Sequence, residues 1–157
     1  MNARFDHEKL DVYQVELEFI RWSTPLLAEV RTCATASTGE VRDQLDRASL
    51  SALLSTAEGN GRRQMRMRAK FFDDARGSAT ESAACLDALV AKGACSDSRI
   101  AEGKDLLVRI ASMPTKLVEY FSGERFVREG GAAYAAGEAP IAEDENEDEH
   151  DRGRNQP

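Results

Sequence analysis

Over the first 122 positions, apolar residues recur at alternating steps of three and four, the spacing of one face of an α-helix. Leu10, Tyr13, Leu17, Ile20, Thr24 and Leu27 are spaced 3-4-3-4-3 and predict a first helix from His7 or Glu8, with Asp6 as N-cap. This seam is read as the bundle-facing side. Val12, Val15, Phe19, Trp22 and Leu26 form a second stripe, and Pro25 predicts a kink near Arg21 or Trp22. Two stripes on one helix exceed what a single core requires, so the second is assigned to a subunit interface.

Ser37 or Thr38 is placed to cap a second helix from Glu40 to about Glu58. Its core side is Val41, Leu45, Ala48, Ala52 and Ser55, and Leu50, Leu53, Leu54 and Ala57 form another apolar side. Gly59-Asn60-Gly61 predicts its end, because Gly and Asn tolerate the left-handed conformation in which helices stop. A third helix from Gln64 to Lys92 presents Phe72, Ala75, Ala79, Ala83, Leu86 and Val90 on one face. Gly77 within it implies a close packing contact, since glycine costs a helix about 1 kcal/mol relative to Ala. Gly93 is the expected C-cap glycine. Ser96 or Asp97 caps a fourth helix from Ser98 to Phe121, with Leu106, Leu107, Ile110, Met113, Leu117, Tyr120 and Phe121 as its stripe and a bend at Pro114. Four long helices with short links predict an all-α, antiparallel up-down four-helix bundle over residues 1–122.

Beyond Ser122 the periodicity fails. Gly130–Gly137 is a run of Gly and Ala with one Tyr, and the acidic stretch after it has too little apolar surface to order itself, so 123–157 is expected to be a disordered tail. Residues 138–157 hold eight acids and two arginines, net -6 of the chain's -7, so the bundle itself is near neutral. Such a tail keeps the protein soluble, or competes electrostatically with RNA for a basic surface on the same chain. A charged fraction of 31% and no apolar run near the roughly 18 residues of a membrane span indicate a soluble protein. Met1–Glu8 has no signal-peptide pattern, and cytoplasmic localisation is expected. Cys33, Cys85 and Cys95 are odd in number and lack CxxC spacing, so they read as reduced thiols. His7 and His150 lie at opposite ends of the chain, and no metal site or cofactor is expected.

Two polar constellations stand out. Arg62, Arg63, Arg66, Arg68 and Lys70 place five cations and no acid within nine residues. A basic turn opening a helix can grip phosphates, because backbone donors and guanidinium groups point the same way. The competing reading is an ordinary solvated helix start. Arg47, Glu58, Arg76 and Glu81 form the second set, read chiefly as a structural ion-pair network fixing helix register. A general acid/base pair of Glu58 and Glu81 is the minor reading. No histidine accompanies Ser51, Ser55 or Ser78 to activate a nucleophile. Gly59-x-Gly61 lacks the Gly-Lys-Ser/Thr ending of a phosphate loop.

Ala57-Glu58-Gly59-Asn60-Gly61-Arg62 together with Phe71-Phe72 and Ala75-Arg76-Gly77-Ser78-Ala79 resembles the four-helix bundle proteins encoded within intervening sequences of bacterial 23S rRNA genes. The resemblance also takes in Leu10–Gln14, Gln44–Ser51 and Gly103–Leu107. This chain departs from the family in having Ala52-Leu53-Leu54-Ser55 where an Ile-Pro-x-Asn run is usual, and in Pro114. The resemblance implies a ring-shaped homopentamer. Through a related bundle, the accessory protein of diversity-generating retroelements, it also implies RNA or a reverse-transcriptase-like enzyme as partner. Val12, Phe19, Trp22, Leu26, Leu50, Leu53 and Leu54 are the interface candidates. The expectation is therefore a non-enzymatic oligomer that contacts structured RNA or a nucleic-acid enzyme, with a protein-interaction module free of nucleic acid as the alternative.

Overall fold

The computed structural model describes residues 4–32 and 37–122. The expected disordered tail, 123–157, and Cys33 lie outside the described residues. A 3-10 turn at Asp6–Lys9 precedes four helices: α1 Asp11–Arg31, α2 Gly39–Gly61, α3 Met65–Ala91 and α4 Asp97–Ser122. Each helix packs on two others, α1 on α2 and α4, α3 on α2 and α4, with no diagonal pair among the described residues. Cross-helix contacts run in opposite senses. Glu18 meets Arg109 and Glu29 meets Arg99 between α1 and α4, and Gln44 meets Glu81 and Ser51 meets Ser78 between α2 and α3. A residue number that rises on one helix as it falls on its neighbour is the register of antiparallel helices.

The core joins Val12, Val15, Phe19, Leu26 and Val30 of α1 to Leu45, Ala79, Leu86 and Leu89 and to Ile100, Leu106, Leu107 and Ile110 of α4. The assignment of faces on α1 is therefore reversed. Val12, Phe19 and Leu26 were expected at a subunit interface and are inside the protomer, as is Leu53 of α2. Tyr13, Leu17 and Ile20, expected inside, are only half-buried, and Thr24 is exposed. The cause is that α1 is wedged between two neighbours and buries a wide arc. The middle of that arc faces the core. Its edges hold Trp22, against Gly103 of α4, and Leu27, beside Arg42, Asp43 and Asp46 of α2. Two heptad stripes are what one helix with two partners needs.

Helix ends follow local chemistry. At the end of α3, Gly93 adopts φ 69, its N–H donates to Val90 O at 2.8 Å, and Ala94 N–H donates to Leu89 O at 3.0 Å. This paired closure is the Schellman arrangement, and it confirms the expected glycine. Ser96 Oγ accepts from Arg99 N–H and caps α4. Thr38 stands at the N-cap of α2, yet its hydroxyl donates to Val30 O at 3.3 Å and ties α2 to α1. Asp6 does not cap α1. It opens the 3-10 turn and pairs with Lys9 at 2.9 Å. α1 continues through Pro25, and α4 continues through a buried Pro114.

Three expectations on packing change. α2 does not stop at Glu58 but runs to Gly61, and Gly59 has no left-handed backbone. A Cβ on Gly59 would lie 2.9 Å from Phe71 Cβ, so this glycine is there for close approach of α2 to α3. Gly77, for which a packing contact was expected, has open space around its Cβ position. Tyr120, placed in the apolar stripe of α4, is 62% exposed.

Candidate nucleic-acid interface

The link between α2 and α3 is three residues long, Arg62-Arg63-Gln64. Arg62 is extended and its N–H donates to Gly59 O at 3.2 Å, closing α2. Gln64 is also extended and makes no side-chain cap at the start of α3, whose first turn holds no acidic residue. The first N–H groups of α3 therefore keep their partial positive charge facing outward, next to arginines.

The five cations are not equivalent. Arg62 is hydrogen-bonded to Glu58, one turn back on α2, and its guanidinium lies 4.8 Å from the centroid of Phe71. Lys70 pairs with Asp74 at 2.9 Å and sits 5.5 Å from the same ring. Arg68 turns inward, its Nη2 donating to Asn60 Oδ1 at 3.3 Å. Arg63 and Arg66 are exposed and form no ion pair among the described residues. All five lie on the link and the first two turns of α3. Acids one turn away, at Glu58 and Asp74, divide the group into held and outward cations.

Arg47, Glu58, Arg76 and Glu81 do not come together as one network. Arg47 donates to Gln44 Oε1, and Gln44 Nε2 donates to Glu81, so an amide joins α2 to α3. Arg76 pairs with Asp73 at 2.6 Å on its own helix, and Glu58 is taken by Arg62. An acid/base pair of Glu58 and Glu81 is not formed. A shallow groove of about 670 Å³ runs beside this relay, lined by Glu40, Gln44, Arg47, Glu81 and Cys85 among others. Burial, and after it the charge of Glu81, pushes the Cys85 thiol up, away from the reactive thiolate. Among the described residues no group of three or more His, Cys, Asp or Glu is placed to hold a metal ion, and no helix is long and apolar enough to cross a membrane.

The interface candidates separate in the same way. Val12, Phe19, Leu26 and Leu53 belong to the core, and Trp22 is half-buried against α4. Leu50 and Leu54, one turn apart on α2, are 49% and 57% exposed.

Sequence reasoning missed Glu16. It is 1% exposed, and Thr56 Oγ1 of α2 donates to its Oε1 at 2.7 Å. Its Oε2 is buried with no hydrogen-bond partner among the described residues. Burial raises its pKa to about 8, against the smaller lowering effect of the Thr56 hydrogen bond. The available signal was a polar residue in step with Val12, Phe19 and Ser23 on a strongly apolar face.

No curated protein and no solved structure matches the chain. The sequence profile of the 23S rRNA-intervening sequence protein family matches residues 8–116, from the 3-10 turn into the last turns of α4. A match over more than two thirds of the length, on a chain whose described residues build four α-helices, means that this chain belongs to the 23S rRNA-intervening sequence protein family.

Proposed function

We propose that this protein is a non-enzymatic, oligomeric bundle, a pentamer by family resemblance, that contacts structured RNA with the end carrying the α2–α3 link. The observation that carries this reading is the pair of unneutralised arginines, Arg63 and Arg66, beside an uncapped helix start with no acid in its first turn. Guanidinium groups bind phosphate in a two-pronged geometry, and exposed backbone N–H groups add to the field. Repetition of one weak site around an oligomer raises avidity without new contacts. The test is equilibrium binding of nuclease-treated protein to a structured RNA. Arg63→Glu/Arg66→Glu weakens binding at least tenfold, whereas Arg62→Gln/Lys70→Gln, which alters cations already held by acids, has the smaller effect. Equal losses in both variants would contradict the assignment.

Leu50 and Leu54 support a second reading, a protein-interaction module. Two leucines one turn apart on an outer helix face suit contact with another protein surface. In that reading the arginines are a solvated surface and no RNA binds.

A further inference from the structure

We infer that the RNA taken by this end of the bundle is one with unpaired bases, and that Phe5 stacks on one of them. The inference rests on the RNA reading above and names the class of RNA.

Phe5 is 64% exposed, an uncommon position for a large aromatic ring on an ordered segment. Its ring stacks on His7 with centroids 5.7 Å apart and planes 15° from parallel, and His7 meets Tyr13 edge-on at 4.8 Å. Tyr13 is anchored in α1, so the ladder of three rings is fixed at its inner end and open at Phe5. The backbone is held as well. The Glu8 carboxylate accepts the N–H of Phe5 at 3.0 Å and that of Arg4, which keeps the Glu8 pKa low. A ring held flat before its partner arrives loses little freedom on stacking.

The position of this ladder connects it to the cations. Glu16 of α1 meets Thr56 of α2, and the two helices run in opposite directions. Moving back from Glu16 to the 3-10 turn therefore moves along α2 from Thr56 toward Gly61, and that turn packs on α2. Phe5 and His7 thus stand at the end of the bundle from which Arg62-Arg63-Gln64 emerges. The one lysine of the turn, Lys9, is paired with Asp6, so the cations open to phosphate at this end are Arg63 and Arg66 and, next to Phe5, the exposed Arg4. An aromatic face beside unpaired cations is the pattern that binds single-stranded nucleic acid. A base stacks on the ring and the backbone lies along the charges. Duplex RNA offers no unstacked base to such a ring.

The test compares a hairpin RNA carrying an unpaired loop with a fully paired RNA of equal length, by fluorescence anisotropy on the full-length protein. The looped RNA binds more tightly than the duplex. Phe5→Ala weakens looped-RNA binding roughly tenfold, as expected from the loss of one stacked base, leaves duplex binding unchanged, and keeps the helical circular dichroism. Phe5→Tyr keeps the preference. If Phe5→Ala binds looped RNA like the wild type while Arg63→Glu/Arg66→Glu loses it, the stacking inference is overturned and the phosphate reading stands. If the wild type binds neither RNA, both are overturned.

Discussion

Thr56 donates a 2.7 Å hydrogen bond to Glu16 across the α1–α2 interface, and among the described residues it is the one hydrogen bond to the carboxyl of this 1% exposed residue. The other oxygen of Glu16 has no partner among the described residues, so burial favours the neutral acid there. This contact sits on the helix interface through which α1 joins α2.

Its consequence is a pH dependence. The folded pKa is raised to about 8 from an ordinary 4.5. Between those values the unfolded chain releases the proton and the folded chain keeps it, so stability is full below 4.5 and declines as pH rises toward 8. At neutral pH the loss is about 3 kcal/mol. Glu16→Gln retains an acceptor for Thr56 and carries no proton to release. Thermal unfolding from pH 5 to pH 9 should show the wild type losing stability while Glu16→Gln stays flatter and becomes the more stable of the two. Parallel profiles would mean that Glu16 is solvated.

Trp22 lies against the backbone of Gly103, where an added Cβ would come within 2.1 Å of its ring. Gly103→Ala is therefore expected to destabilise the fold by about 2 kcal/mol or more, since the ring must leave its place. Trp22 is the only tryptophan, so its fluorescence reports the displacement directly. Wild-type emission and stability in Gly103→Ala would place the ring elsewhere.

Bundle architecture, helix number and most boundaries were legible in the sequence, because apolar spacing and cap residues such as Gly93 and Ser96 act locally. The inward face of α1 was not. Both of its stripes are apolar, and only the positions of α2 and α4 decide between them. Glu16 was passed over because a carboxylate is expected in water, and nothing local announces Thr56, forty residues away. The cations of the link were visible as a group. Their division rests on the i,i+4 pairs Glu58–Arg62 and Lys70–Asp74, the first of which needs α2 to run past Glu58. Gly59 and Gly77 exchanged roles for the same reason, since close approach of two helices is a tertiary fact.

The surface of α2 yields a test of assembly. Phe19 is core, so Phe19→Glu buries a charge and should unfold the protein. Leu50→Glu/Leu54→Glu changes exposed side chains and should leave helicity intact while lowering the mass measured by light scattering. A wild-type mass in that variant would exclude this face as the subunit contact, and a monomeric wild type would contradict the oligomer.

The end of α4 gives a test of the acidic segment that follows it in the sequence. α4 runs antiparallel to α1, pairing Glu29 with Arg99 and then Glu18 with Arg109, so it ends at Ser122 near the level of the 3-10 turn. Removing 123–157 removes a net charge of -6 from the chain. Under the RNA reading, truncation should tighten binding several-fold at low salt and by less at high salt. Unchanged affinity would leave the tail with a solubilising role alone.

The most direct measurement is the salt dependence of RNA binding by the wild type and by Arg63→Ala/Arg66→Ala. Each phosphate contact contributes nearly one unit to the slope of log affinity against log salt. The account predicts that the double variant loses about two units of slope per occupied site and binds more weakly to every RNA tested. An unchanged slope in the variant, or a wild type whose binding does not respond to salt, would contradict the claim that these two arginines hold phosphate.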